Sequence, residues 1–259
     1  MRDVIIQARM GSTRLPKKVM RDIAGKPMLQ RVVERCRLAT QIDKVAVATS
    51  SESQDDVIAE FCEEKNIEYV RGSEDDVLER YFLAAKKLES QDIVRITSDC
   101  PLIMPETIDR AVRIYDETDA DYCTNTLYYT YPDGIDVEVF PFKVLEEAHR
   151  NASKDEYKEH VTPYIRNQEK FDKVNFENPI DISRYSYTEE GVIPRWTVDY
   201  PEDLEFVRHV YENLLTEFGS HITQEAVHEL LERSSESRSI NEDRTRDDYH
   251  LNTVNEGET

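Results

Sequence analysis

Over the first 118 residues, short β-branched runs alternate with stretches of helical spacing, and few architectures accept that order. Val4-Ile5-Ile6 reads as a buried strand feeding a Gly/Ser/Thr/Pro-rich loop. Met28, Leu29, Val32, Val33 and Cys36 then recur at helical spacing behind Pro27, a residue suited to a first helical turn. Residues 44–49 form a second strand, Ser53 is placed to cap a helix over 55–65, and 68–70 are a third strand. Ser73-Glu74-Asp75-Asp76 opens a helix to about Leu88, its acids complementing the helix dipole. A fourth strand at 92–97 ends in Ser98-Asp99-Cys100-Pro101, and a helix runs from Pro105 to about Tyr115. This repetition predicts an α/β, Rossmann-like, mostly parallel mixed sheet with helices on both faces. Such sheets bind ligands at the carboxyl ends of their strands, where the loops after the first and fourth strands lie.

The second half is less regular. Strands are expected at 122–127 and 135–140, the latter alternating Ile135, Val137 and Val139 with Asp136 and Glu138. Helices are expected at 142–151 and 155–167, short strands within 171–198, then helices at 202–218 behind Pro201 and at 224–233. From Ser234 the composition shifts to seven acids, three bases and scattered apolar residues, which reads as a disordered acidic tail over 234–259. The chain therefore reads as one domain, 1–233, plus that tail.

Charge narrows the partners. The net formal charge is −21, yet residues 1–37 hold ten Lys/Arg against three acids. Overall acidity argues against a nucleic-acid partner, because duplex binding is largely phosphate neutralisation. A local cationic loop on an anionic protein still suits a small polyanion. No apolar run is long enough for a membrane span, and Met1-Arg2-Asp3 does not open a signal peptide. Cys36, Cys62, Cys100 and Cys123 form no C-x-x-C pair, so they are expected as buried, reduced thiols of a cytoplasmic protein.

Arg9, Arg14, Lys17 and Lys18 fall within ten residues, with Gly11, Ser12 and Thr13 between them. Gly permits close backbone approach, while amides, hydroxyls and guanidinium forks suit phosphate oxygens. The segment is neither a Walker loop nor a dinucleotide-binding glycine loop, and by spacing alone it is equally a solvated basic loop. Asp99 and Asp199 each follow a strand and precede a Pro-led helix, so both project over one sheet edge. Two carboxylates plus phosphate oxygens suit Mg²⁺, although either Asp taken alone is more simply a cap. Asp136 and Glu138 share a strand face, where acids usually meet water. Arg195 is suited to an acidic acceptor group or an ordinary ion pair. His160 and Trp196 are more often structural than catalytic.

The chain closely resembles the SpsF-like spore-coat polysaccharide cytidylyltransferases, relatives of the CMP-sialic-acid and CMP-Kdo synthetases. The matching stretches are IIQARMGSTRLPKKVM (5–20), IAGKPMLQRV (23–32), VAVATS (45–50), RGSEDDVLERY (71–81), VRITSDCPLI (94–103), YPDGIDVEVF (131–140), EHVTPYI (159–165) and RWTVDYPEDL (195–204). The resemblance implies a nucleotide-diphospho-sugar transferase fold with a dimerisation arm within about 125–192, and hence a homodimer. It implies transfer of CMP from CTP to a hydroxyl of a sugar-like, acidic, nonulosonate-type acceptor, with release of pyrophosphate, for cell-surface glycan synthesis. It places Ala8, Arg9, Gly11, Ser12, Thr13, Arg14, Lys18, Gly72, Ser73 and Ser98 at the nucleotide. It places Asp136, Glu138 and Arg195 at the acceptor, Mg²⁺ on Asp99 and Asp199, and catalysis on Arg9, Lys18, Asp99 and Asp199. Two positions depart from the family pattern: Lys17 and Ser98 each stand where glycine is usual. Three rivals stay open: a glycosyltransferase of similar fold, a transferase using another nucleotide or a non-sugar acceptor, and a non-catalytic nucleotide-binding protein.

Overall fold

Alternate residues of the first strand divide between two cores. Val4 and Ile6 enter one buried cluster and Ile5 the other, and Val45/Val47 against Ala46, and Val94/Ile96 against Ile93, divide in the same way. A strand buried on both faces is what a central parallel sheet requires. The computed structural model describes residues 1–191 and 193–242. In chain order the elements are β1 (Arg2–Gln7), β2 (Asp22–Ile23), β3 (Lys26–Pro27), α1 (Met28–Cys36), β4 (Lys44–Ser50), α2 (Asp56–Glu64), β5 (Glu68–Gly72), α3 (Val77–Leu88), β6 (Asp92–Thr97) and α4 (Pro105–Thr118). There follow β7 (Tyr122–Thr124), β8 (Glu138–Pro141), α5 (Phe142–Asn151), α6 (Asp155–His160), α7 (Pro163–Asn167), β9 (Lys173–Asn175), α8 (Pro201–Phe218), α9 (Gln224–Arg233) and α10 (Ser235–Ser239).

Seven strands make one sheet in the order β5-β4-β1-β6-β8-β7-β9. β5, β4, β1 and β6 are parallel, and β8 runs antiparallel to both β6 and β7. Side chains of α1, α4 and α8 bury against one face, and those of α3 and α5 against the other. The expected architecture, a mostly parallel mixed sheet with helices on both faces, is the one observed. The four cysteines are buried and unbridged. Among the described residues no helix is long and apolar enough to cross a membrane.

Several local expectations are corrected. Ser53 lies in a 3-10 turn, and Asp55 occupies the N-cap position of α2. α3 begins at Val77 rather than in the 73–76 acidic run. Asp76 is its cap, accepting from the Glu79 amide at 2.7 Å, while Ser73 Oγ accepts from the Asp76 amide in the turn before it. The helix expected over 155–167 breaks at Val161, whose φ of 70° leaves helical space, and restarts at Pro163. The strand expected at 135–140 pairs only from Glu138. Upstream of it, Asn125 takes the place of a ladder, its Nδ2 donating to the Ile135 carbonyl and its Oδ1 accepting from the Val137 amide. The strand expected at 122–127 is only β7, and among the described residues of 171–198 only β9 forms. The acidic tail does not begin at Ser234. α10 forms, Ser237 is fully buried and Ile240 packs on the core; the rest of that expectation, 243–259, lies outside the described residues.

Lys17 adopts φ 61°, ψ 26°, a left-handed conformation in which a Cβ meets the backbone. Glycine, which lacks that Cβ, adopts the same conformation without the contact. Its side chain is exposed and lines neither cavity described below. Lys17→Gly should therefore raise the urea midpoint, by an amount equivalent to about 0.5–1 kcal/mol. A lowered midpoint would show that the side chain compensates for the backbone.

Candidate active site

The loop after β1 is held from below. Leu15 and Val19 are buried, and the Met10 amide donates to Asp55 Oδ1 at 2.7 Å. The amides of Ser12 and Lys17 both donate to the Met10 carbonyl, curling the chain so that Lys18 points inward. Lys18 Nζ donates to Asp99 Oδ2 at 3.0 Å, Asp199 Oδ1 at 2.9 Å and the Val198 carbonyl at 2.9 Å. The two aspartates, 100 positions apart, thus meet across one ammonium. Burial alone would lower the Lys18 pKa, but Asp99 and Asp199 overcome it and raise it. Burial likewise opposes the charge on Asp99, and Lys18 holds that carboxyl below its ordinary value. The backbones are joined as well, since the Val198 amide and Thr197 Oγ1 both donate to the Asp99 carbonyl.

Asp199 is oriented by the start of α8. Tyr200 is the N-cap of that helix, and Asp203 accepts at Oδ2 from the amides of Asp199 and Tyr200, both at 3.0 Å. Arg195 binds Asp133 at 2.9 Å, Asp199 Oδ2 at 2.8 Å and Asp203 at 3.1 Å, with its side chain only 3% exposed. Arg14 completes the ring, its guanidinium 3.2 Å from Asp199 Oδ1 and stacked over the Tyr200 ring. Of the two readings of Arg195, an acceptor contact or an ion pair, the structure shows ion pairs, with three carboxylates around its guanidinium.

Two adjoining cavities open over the carboxyl ends of β1 and β6. The smaller, about 310 Å³, is lined by the expected Ala8, Arg9, Gly11, Ser12, Thr13, Arg14, Lys18 and Ser98. Gly72 and Ser73 do not line it. They support Arg80, which does: Gly72 lies against the Arg80 side chain, and Arg80 donates to the Ser73 and Glu74 carbonyls at 2.5 and 2.7 Å. The larger cavity, about 590 Å³, is lined by Asp136, Glu138 and Arg195, as well as by Arg95, Asp133 and Arg166, which motif and spacing did not single out. Asp99, Asp199, Arg14 and His160 line both.

Glu138 does not face water as strand alternation suggested. It is 5% exposed, ion-paired to Arg95 and hydrogen-bonded by Tyr122 Oη at 2.7 Å. Burial opposes its charge, but Arg95 and then Arg166 hold its pKa down at about 2. Arg166 also donates to Tyr122 Oη at 2.9 Å and to Thr126 Oγ1. Arg95 thus pairs with Glu138 directly, and Arg166 is joined to it through Tyr122 Oη. Among the described residues no group of three His, Cys, Asp or Glu side chains is placed to hold a metal. Asp99 and Asp199 offer a pair of hard oxygen donors, bridged here by the Lys18 ammonium, and such a pair with phosphate and water oxygens suits a small cation in its place.

A cytidylyltransferase family profile matches residues 4–226. The chain belongs to the cytidylyltransferase family. It is therefore a nucleotidyltransferase. The spore coat polysaccharide biosynthesis protein SpsF of Bacillus subtilis (strain 168) is 35% identical over 214 residues, covering 80% of this chain and 85% of that one. A solved cytidylyltransferase from Leptospira borgpetersenii serovar Hardjo-bovis superposes with a TM-score of 0.82 at 30% identity, over 95% of this chain and 98% of that one. A CMP:2-keto-3-deoxy-manno-octonic acid synthetase solved with CTP shares the fold at a TM-score of 0.61 and 21% identity, over 82% and 98% of the two chains.

Proposed function

We propose that this cytidylyltransferase moves CMP from CTP to a hydroxyl of an acidic, nonulosonate-type sugar, releasing pyrophosphate. The observation that carries this reading is the shared border of the two cavities. A nucleotide in the smaller and an acceptor in the larger would meet at Asp99, Asp199 and Arg14. Arg9, Arg14, Lys18 and Arg80 converge on the smaller cavity, giving a triphosphate four cationic partners. The acceptor oxygen forms its bond to the α-phosphorus, the bond to the β-phosphate oxygen breaks, and the hydroxyl proton leaves to solvent or a pocket base. The protein contributes positioning and charge stabilisation. Arg9, Arg14 and Lys18 face the charge that builds on the departing pyrophosphate. Asp99 and Asp199 would hold Mg²⁺, which when bound neutralises phosphate charge and lowers the acceptor hydroxyl's pKa.

Arg95 and Arg166, which line the larger cavity, are the cations an acidic acceptor group would meet there, while its six carboxylates suit hydroxyls and a bound cation. Asp136 on its wall suits sugar hydroxyls. Leu127 and Tyr128, 38% and 52% exposed within 125–192, support the reading of that region as a dimerisation arm. The test is pyrophosphate release with each of CTP, UTP, ATP and GTP against panels of acidic and neutral sugars with Mg²⁺. Release should require CTP together with an acidic sugar and yield a CMP-sugar of matching mass. Equal rates with all four nucleotides, or release favoured by neutral sugars, would sink the reading.

A further inference from the structure

We propose that Asn241, outside the family match that ends at residue 226, is a positioning residue for Asp199. The segment carrying it is docked independently of the active site. Ser237 Oγ pairs with His209 Nε2 at 2.7 Å, Arg238 donates to the Leu231 carbonyl at 2.7 Å, and Ile240 packs on the core. These contacts deliver the Asn241 amide to the rear of the carboxylate ring, where its Nδ2 donates to the Arg195 carbonyl at 3.0 Å and to Asp203 Oδ1 at 3.2 Å.

Both acceptors belong to the device that aims Asp199. Asp203 Oδ1 also accepts from Arg195 Nε at 3.1 Å, so one oxygen joins Asn241 to the guanidinium that holds Asp199 Oδ2. Asp203 Oδ2 accepts from the Asp199 amide itself. Asp203 is fully buried, and a water entering from a third cavity of about 260 Å³ that Asn241 borders would not be held in the amide's fixed direction. Loss of the Asn241 amide leaves the Arg195 carbonyl and one Asp203 lone pair short of a partner. The guanidinium then relaxes toward them, and Asp199 moves with it. Asn241 lines neither of the two cavities, so it touches neither nucleotide nor acceptor.

This inference rests on the proposed role of Asp199 at the reacting phosphate, and the experiment separates the two. Asn241→Ala and the isosteric Asn241→Asp are compared in the wild-type and Asp199→Asn backgrounds by pyrophosphate release, with enzyme raised a hundredfold for the slow variants. In the wild-type background kcat should fall about tenfold for Ala and further for Asp, with the KM for CTP within about twofold. In the Asp199→Asn background the same changes should lower kcat less than about twofold. Ser237→Ala, which removes one docking contact and leaves those of Arg238 and Ile240 in place, should leave kcat within about twofold. Equal losses in both backgrounds, an unchanged kcat, a change confined to KM, or an equal loss from Ser237→Ala would overturn the proposal. A wild-type rate for Asp199→Asn alone would instead overturn the role of Asp199.

Discussion

Asp99→Asn should lower kcat by about two orders of magnitude or more, the scale seen when one electrostatic partner of a transition state is removed. The change is isosteric, and what it removes is charge. Asp99 meets Lys18 through its side chain, but its ties to Val198 and Thr197 run through its backbone carbonyl. The two loops should therefore stay joined in the variant. What changes is the balance at the cavity border: Lys18 loses one of its two carboxylates, and the pair of anionic donors becomes one carboxylate and a neutral amide. Initial rates of pyrophosphate release, with circular dichroism to confirm the fold, would measure this. A near-normal kcat in a folded variant would remove Asp99 from the chemistry.

Arg195→Met should destabilise the protein by about 3–5 kcal/mol, the range for removing one partner from a buried ion pair. Methionine fills similar volume and brings no charge, leaving Asp133, Asp199 and Asp203 facing one another without the cation they share. Arg14 and Lys18 still neutralise Asp199 from the solvent side. Asp203 is fully buried, and its other donors are two backbone amides and the Asn241 amide. Urea unfolding should show a lower midpoint with little change in slope. A loss under about 1 kcal/mol would mean that the ring tolerates its own repulsion or takes up protons.

The parts of this site written in apolar patterning are legible in the chain itself. Val4–Ile6 and the 92–97 run end abruptly in Gly, Ser, Asp and Pro, so the strand ends, and with them the cationic loop and Asp99, fall along one edge. Asp199 follows from its Pro-led helix. Pairing is not legible. The sign of Arg195 says that it needs a carboxylate when buried, but not that it takes three, one of them 62 positions away. Glu138 looks solvent-facing because alternation assigns a face and not what covers it; here Arg95 and Tyr122 cover it. Arg80 is hidden in a helix marked by its Leu, Tyr and Ala spacing. A charged residue in the middle of a buried strand, as with Arg95, is the available sign that an internal acid awaits it. Ser237 and Asn241 are lost in a polar tail, because a composition count cannot see a side-chain amide that satisfies two buried acceptors.

The joining of the Asp99 and 197–199 loops bears on the order in which the molecule acquires its parts. Lys18 meets partners 81 and 181 positions further along the chain, and closing such spans costs chain entropy before any contact repays it. The β1–β4–β6 sheet can assemble from the first hundred residues. The second carboxylate arrives only when the chain returns at Asp199. Refolding should therefore recover secondary structure first and turnover last, and synthesis on the ribosome follows the same sequence. On the proposed reading, a newly made chain has the cationic loop in hand well before Asp199 joins it.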